Sequence, residues 1–254
     1  MTRIVWIDGD LVDPGAKHLS VFDHGFVAGD GVFEACEVLD GVPFALTRHL
    51  DRLRHSALGL GLAAPDESVV RSAVEQVAAA WHTKQPTAQA RVRITWSAGL
   101  GPLATGRGDG PGTLVVAATG MGEHPPARVW VAPWVRNERS ALVGLKTTSY
   151  GENALALDRA HAHGATEAIF GNTRGELCEG TGTNVFLEDE TGLVTPPLSS
   201  GALAGVTRAL VLEWALQAGI PVREEALPLA AIHEAEHVAL TSSSRGIAPV
   251  VAVD

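Results

Sequence analysis

Short apolar runs with the spacing of β-strands are mixed with amphipathic helical patterns along this chain. The strongest local signal is Asp40-Gly41 between the two apolar runs of VFEACEVLDGVPFAL, because both positions of a type I′ hairpin turn need positive φ. Helical spacing follows twice, first after Thr47, which could cap the helix, and then from about Asp66 to Trp81. The strict strand-helix repeat of a doubly wound sheet is missing, so the pattern predicts an α+β fold.

The stretch TGMGEHPPAR interrupts this pattern, since it has no periodicity and carries two glycines and a proline pair. We therefore predict a small N-terminal domain over residues 1–118, a linker over 119–126 and a larger C-terminal domain over 127–254. In the second domain, helices are expected from about Glu152 to His163 and from Gly205 to Ala218, among short strands such as VWVAPWV, EAIFG and HVALTS.

Composition excludes several classes of protein. The net charge of -10, with no basic stripe, argues against a nucleic-acid partner. Cys36 and Cys178 have neither disulfide-framework nor zinc spacing, so we predict core thiols and no metal site. The N-terminus lacks the apolar run of a signal peptide, and no stretch reaches the roughly 18 apolar residues of a membrane span. These features predict a cytoplasmic protein that has no membrane partner.

Two side chains are candidates for chemistry on an amine. Lys146 follows an apolar stretch and precedes three hydroxyl residues, so partial desolvation could make its neutral amine available to form an imine. Glu179 lies in ELCEGTGTNVF between an apolar strand and a glycine-rich turn, where a carboxylate could pair with a protonated ring nitrogen. Taken alone, each residue is better explained as a solvated charge, and the context has to overturn that interpretation.

The segment SSGALAGVTRALVLEWAL is a candidate anion site. Small residues lead into an amphipathic helix, which leaves the amides of Val206 and Thr207 at its N-terminus. Such amides and the helix dipole favour a bound anion, and the Thr207 hydroxyl could add one bond. An ordinary capped helix is the alternative.

Several motifs in one order give the chain a family resemblance that covers nearly its whole length. VFDHGFVAGDGVFEACEV, LTRHLDRLRHSALGL, LKTTSYGENALAL, LCEGTGTNVF, LAGVTRALV and VALTSSSRGIAPV resemble the successive motifs of the class IV, or fold type IV, pyridoxal-phosphate-dependent aminotransferases. That family includes branched-chain aminotransferases, D-amino acid transaminases and aminodeoxychorismate lyases. The resemblance implies a two-lobed fold with a small α+β N-terminal lobe and a larger pseudo-barrel C-terminal lobe, and a homodimer.

The resemblance also implies a role for each matching residue. Lys146 would carry pyridoxal 5′-phosphate as a Schiff base and move protons, and Glu179 would pair with the pyridine nitrogen. Arg52 would bind the cofactor phosphate, although a helix arginine that is exposed and paired with an aspartate would give the same pattern. The remaining phosphate contacts would come from the amides of Val206 and Thr207 and from the hydroxyl of Ser243, with Ser242 as a second candidate.

These roles imply a transaminase that acts on small-molecule amino acids and 2-keto acids. The segment VAGDGVFE resembles the D-amino acid transaminases and the lyases, and a single tyrosine, Tyr150, is unlike the tyrosine-rich pocket of the branched-chain enzymes. We therefore expect an amino acid of D configuration as substrate. An aminodeoxychorismate lyase that releases pyruvate and p-aminobenzoate is the alternative, and a protein that binds the cofactor without turnover is a second one.

Three arginines are candidates for binding the substrate carboxylate. Arg91 and Arg93 alternate with Val92 and Ile94, so both should project from one face of a strand, where a guanidinium could bind a carboxylate bidentately. A solvated outer face of a half-buried sheet is the alternative. Arg136, shortly before the lysine segment, is the third candidate.

Overall fold

The computed structural model describes residues 2–254, which form two compact units. The first contains the residues up to Gly122 together with Leu145–Tyr150, and the second contains Glu123–Gly144 and Gly151–Asp254. Strands and helices are mixed in both units, which confirms the predicted α+β class. The two units are nearly equal in length.

The first unit is a six-stranded antiparallel sheet with helices packed on one face. Its strands run in the order β2-β1-β6-β5-β3-β4. Their bounds are β1 Arg3–Ile7, β2 Asp10–Val12, β3 Gly31–Leu39, β4 Val42–Pro43, β5 Ala90–Ser97 and β6 Thr113–Gly120, and the helices are α1 His24–Val27, α2 Leu46–Gly59 and α3 Glu67–Lys84. Alternate residues of β3 and β5 are buried beneath α2 and α3, since side chains on a strand alternate between faces.

The predicted hairpin and the second predicted helix are confirmed. Asp40 and Gly41 connect β3 to β4 with φ of 48° and 79°, and α3 begins directly after Asp66, whose carboxylate accepts the amides of Ser68 and Val69. The predicted cap of the first helix is wrong. α2 begins before Thr47, after Ala45 in the left-handed conformation with φ 52°, and has no side-chain cap.

The second unit is an eight-stranded mixed sheet in the order β12-β11-β10-β13-β14-β7-β8-β9. Its strands are β7 Ala127–Arg136, β8 Glu167–Asn172, β9 Leu177–Gly180, β10 Asn184–Asp189, β11 Gly192–Thr195, β12 Val222–Glu224, β13 His237–Ser242 and β14 Gly246–Val253. The helices are α4 Gly151–Ala162, α5 Val206–Gln217 and α6 Ala231–Glu234. β7 pairs in parallel with both β8 and β14, and every residue of β8 is buried.

The predicted domain limits differ from this division in two respects. The break between Gly122 and Glu123 lies inside the predicted linker. However, β6 extends to Gly120, so the start of that predicted linker is part of a strand of the first unit. Leu145–Tyr150, with the candidate lysine, groups with the first unit rather than the C-terminal one. The reason is backbone pairing, because this segment bonds to β3.

Three further findings concern the cysteines, membrane spans and metal sites that the composition analysis addressed. Cys36 and Cys178 are buried free thiols, as predicted, and burial raises the pKa of each to about 12. No helix within residues 2–254 is long and apolar enough to span a membrane. Over the same residues, no group of three or more histidine, cysteine, aspartate or glutamate side chains is arranged to hold a metal ion.

Candidate active site

The backbone of Lys146 is fixed by β3 on one side. Phe33 donates its amide to the Lys146 carbonyl at 2.9 Å, and Thr148 donates its amide to the Gly31 carbonyl at 2.8 Å. A β-bridge joins Val32 to Thr147 between these two bonds. The lysine segment is therefore a short extra strand along the edge of β3, which places the side chain with little backbone freedom.

Helix α2 fixes the same segment from another direction. The Lys146 amide donates to the hydroxyl of Ser56 at 3.0 Å, and Ser56 is fully buried. The helix approaches closely because Gly59 has no side chain. A Cβ there would lie 2.5 Å from a methyl carbon of Leu145.

An aromatic pair faces the amine of the half-buried Lys146. Its Nζ lies 4.5 Å from the ring centroid of Phe33 and 5.7 Å from that of Tyr150. The two rings meet edge to face at 5.1 Å. The predicted partly desolvated lysine is thus present, with π faces in place of part of its hydration shell.

One of the two candidate arginines on β5 is brought to the same ring. The guanidinium carbon of Arg93 lies 3.7 Å from the Phe33 centroid, and its Nε donates to Thr95 Oγ1 at 3.2 Å. Arg91 lies two residues further along the same face, opposite Glu37 of β3. The prediction that both arginines share a face is confirmed, and Arg93 joins Lys146 at the ring of Phe33.

Arg52 forms a buried charged cluster instead of an exposed pair with an aspartate. Its Nε donates to Glu34 Oε1 at 2.7 Å and its Nη2 to Glu34 Oε2 at 2.8 Å. His49 Nδ1 also lies 2.7 Å from Oε2. Glu34 is fully buried, and although burial alone would raise its pKa, hydrogen bonds from Arg52 and His49 lower the pKa of Glu34 to about 2.

In the second unit, Glu179 is an enclosed carboxylate at the end of β9. Its side chain is 13% exposed, so the alternative of a solvated loop acid is wrong. Oε2 accepts the Leu203 amide at 2.9 Å and the side-chain amide of Asn184 at 3.4 Å. Oε1 lies 3.6 Å from Nη2 of Arg136.

Arg136 is therefore placed beside Glu179. Its Nη1 donates to Glu152 Oε2 at 3.0 Å and to Asn153 Oδ1 at 3.2 Å, and its guanidinium carbon lies 4.4 Å from the ring centroid of Phe170. These contacts fix the guanidinium against β8 and α4. Such an arginine can orient the Glu179 carboxylate.

The N-terminus of α5 has the form of an anion site. The first helical hydrogen bond runs from the Ala209 amide to the Gly205 carbonyl, so the amides of Val206 and Thr207 have no partner within the helix. Within residues 2–254 no side chain caps this helix, since Gly205 holds the cap position. A Cβ on Gly205 would lie 1.9 Å from the side-chain oxygen of Asn184, which explains the glycine.

Asn184 connects Glu179, the turn at Leu203 and strand β13, and sequence reasoning assigned it no role. Its Nδ2 donates to the Leu203 carbonyl at 2.9 Å, and on β10 it pairs with Thr241, one residue before Ser242. The hydroxyl of Ser242 accepts the Arg245 amide at 3.2 Å, and Ser243 begins the turn. In the sequence, the only indication of this role is a polar residue at the start of the strand NVF.

The geometry agrees with a known family model. The model described as Amino-transferase class IV matches residues 31–253. This chain belongs to the class IV aminotransferases. The family predicted from the motifs is thereby confirmed, and so is its dependence on pyridoxal 5′-phosphate.

Known class IV enzymes match this chain over nearly its full length. A putative branched-chain-amino-acid aminotransferase from Methanocaldococcus jannaschii is 32% identical, over 98% of this chain and 88% of that protein. A bifunctional aminodeoxychorismate lyase / D-amino acid transaminase from Mycobacterium tuberculosis is 30% identical, over 99% and 91%. These relatives differ in reaction and substrate, so membership of the family leaves the substrate undecided.

Solved class IV structures confirm the fold. A fold IV transaminase from Curtobacterium pusillum matches with a TM-score of 0.90 and 30% identity, covering 100% of this chain and 92% of that one. A hypothetical aminotransferase from Mycobacterium tuberculosis in a PLP-bound form matches with a TM-score of 0.90 and 27% identity, covering 99% and 91%. The predicted fold type IV architecture is confirmed.

Glu34 should make the stability of this class IV enzyme depend on pH. Its folded pKa of about 2 lies below its ordinary value of 4.5, so its stabilising contribution is present above that value and is lost as pH falls from 4.5 towards 2. The shift corresponds to about 3 kcal/mol of unfolding free energy.

Urea unfolding at several pH values tests this contribution of Glu34. We expect the loss of unfolding free energy caused by Glu34→Gln to become smaller as pH falls from 4.5 towards 2. Burial raises the pKa of Glu37, so ionisation of Glu37 lowers the free energy of unfolding as pH rises. The effect of Glu37→Gln on that free energy should therefore change with pH in the opposite direction. A loss in Glu34→Gln that is constant with pH would contradict the assignment.

Proposed function

We propose that this chain is a transaminase that moves an amino group between an amino acid of D configuration and a 2-keto acid. The observation that carries the proposal is the shared ring of Phe33, which has the amine of Lys146 at 4.5 Å and the guanidinium of Arg93 at 3.7 Å. A carboxylate-binding group beside the reacting amine is what an amino acid substrate requires. The D-amino acid transaminase activity in the name of one relative supports the configuration.

The residues present fit pyridoxal 5′-phosphate. This cofactor supplies an aldehyde that takes up the amino group and a ring that withdraws electrons from the substrate α-carbon. Lys146 would hold it covalently and move the α-proton with its amine. Glu179 would hold a proton at the ring nitrogen, with the Leu203 amide and Arg136 orienting the carboxylate.

Backbone amides, a guanidinium and a hydroxyl are the candidate donors to the phosphate. Val206 and Thr207 offer backbone amides in the first turn of α5, which has no side-chain cap within residues 2–254. Arg52 would add a guanidinium. Ser243 would add a hydroxyl, with Ser242 as the second candidate, because the Ser242 hydroxyl that accepts the Arg245 amide still has a proton to donate.

A lyase that releases pyruvate and p-aminobenzoate from aminodeoxychorismate is the second candidate. One relative is named for both activities, and the same lysine and glutamate would serve both. A cofactor-binding protein without turnover is less well supported, because Lys146 and Glu179 are both present and enclosed. Branched-chain substrates are represented among the relatives, but the single tyrosine of this chain argues against a tyrosine-rich pocket.

A half-reaction tests the proposed function. D-alanine, D-glutamate and their L-enantiomers are added separately to the purified enzyme without a keto acid, and the visible cofactor absorbance is followed. We expect the D-amino acids alone to convert the bound cofactor to its amine form, and Lys146→Ala to remove the starting absorbance. Conversion by the L-enantiomers alone would contradict the proposed configuration. No conversion, with pyruvate released from aminodeoxychorismate, would establish the lyase.

Arg93 should bind the substrate carboxylate, whereas Arg91 should not. A charge-assisted hydrogen bond pair is worth about 1.5 to 3 kcal/mol, so Arg93→Met should raise KM by about tenfold or more. Arg91→Met, on the same strand and face, is the matched control and should change KM by less than about twofold. Steady-state kinetics with the best amino acid measures both. A larger effect at Arg91 would contradict the assignment.

We further propose a homodimer in which an exposed apolar patch of the first unit is covered by a second copy. The segment before β3 and the loop after β5 are joined by backbone bonds from Gly101 to Phe22 and from His24 to Gly99. Together they expose Leu19, Val21, Phe22, Phe26, Leu100 and Leu103, each about half exposed or more. Apolar patches of this kind mark protein interfaces.

Phe26→Asp should convert the dimer to a monomer. Phe26 is 77% exposed in the described chain, and a carboxylate there would have to be buried in the dimer interface. Leu216→Asp, at a residue 78% exposed on α5, is the control and should leave the mass unchanged. Light scattering after size exclusion measures the mass. A monomeric native protein, or a dimeric Phe26→Asp variant, would contradict the proposal.

A further inference from the structure

We propose that Glu34 and His49 are positioning residues for the cofactor phosphate, which act by holding the guanidinium of Arg52 in one orientation. The inference rests on the proposed role of Arg52 as a phosphate ligand. Neither Glu34 nor His49 needs to touch the phosphate. Their effect would be to turn a flexible arginine into a fixed donor.

The geometry of the cluster defines how Arg52 is held. Glu34 binds the edge of the guanidinium formed by Nε and Nη2, with bonds of 2.7 and 2.8 Å. Because the guanidinium is planar and rigid, this two-point contact fixes both its plane and its direction. The Nη1 side of the same plane then points away from Glu34.

His49 completes the support from the same helix. It lies three residues before Arg52 on α2, so the two side chains share a face. An ionised carboxylate only accepts hydrogen bonds, so His49 Nδ1 must be the donor in its 2.7 Å bond to Glu34 Oε2. This bond prevents Glu34 from rotating away from Arg52.

A purely structural ion pair would look the same, and the two roles differ in what they predict. Loss of a structural pair lowers stability and weakens every form of the cofactor alike. Loss of a positioning pair weakens pyridoxal 5′-phosphate much more than pyridoxal, which lacks the phosphate but keeps the aldehyde and ring. The ratio of the two dissociation constants therefore separates the roles.

The experiment titrates the full chain, freed of cofactor, with pyridoxal 5′-phosphate and with pyridoxal. We expect Glu34→Gln to raise the dissociation constant of pyridoxal 5′-phosphate by about tenfold or more and that of pyridoxal by less than about twofold. Glu37→Gln, a half-buried glutamate on the same strand, is the control and should change neither. Equal weakening of both compounds, or of neither, in Glu34→Gln would overturn the proposal.

If Glu34→Gln does not fold, two variants of His49 test the positioning of Arg52 instead. His49→Leu removes the donor to Glu34 and should lower the preference for the phosphorylated compound, whereas His49→Asn places an amide N–H near the position of Nδ1 and should restore it. No difference between these two variants would overturn the proposal.

Arg52→Met separates this inference from the proposed function. If Arg52→Met leaves the binding of pyridoxal 5′-phosphate unchanged, Arg52 is not a phosphate ligand and the proposed role fails. If Arg52→Met weakens that binding selectively while Glu34→Gln does not, Arg52 keeps its role and only the positioning by Glu34 is overturned.

Discussion

The first unit depends on one buried charge. Glu34 lies on the core face of β3, between Val32 and Cys36, where an unpaired carboxylate would cost several kcal/mol. Arg52 and His49 compensate it from one face of α2. The same face carries Ser56, whose hydroxyl accepts the Lys146 amide. The electrostatic requirement of Glu34 therefore sets the position of the helix that also holds the lysine segment.

Strand β3 serves both faces of its sheet. Glu34 points into the core, and its neighbour Phe33 points to the opposite face, where its ring contacts Lys146 and Arg93. The Phe33 amide also binds the Lys146 carbonyl. Because side chains alternate along a strand, a slip of one residue would exchange the buried carboxylate for the ring. The ion pair in the core thus fixes the register that presents the aromatic surface to the lysine.

The sequence was sufficient where the signal was local. Asp40-Gly41 predicted its hairpin and Asp66 the start of α3, because turn and cap chemistry depend on neighbouring residues. Motif order singled out Lys146 and Glu179 as candidates. The Glu34 cluster could not be predicted from the sequence. Strand β3 has apolar residues on both faces, so the pattern does not show which face is buried, and the partners of Glu34 lie 15 and 18 residues away. The start of α2 was missed for another reason, since an alanine with positive φ has no sequence signature.

The second unit places a carboxylate in a different way. Glu179 is bound by the neutral amides of Leu203 and Asn184, with Arg136 at 3.6 Å, whereas Glu34 is bound by Arg52 at 2.7 Å. A carboxylate chelated by an arginine is suited to a permanent charge. A carboxylate that is oriented mainly by neutral donors can exchange one of these hydrogen bonds without breaking a two-point ion pair. Asn184 links this arrangement to α5, because its side chain holds the turn at Leu203 and requires glycine at position 205. Since glycine at the cap position offers no side-chain acceptor, the contacts that orient Glu179 also leave the first turn of α5 without a cap of its own.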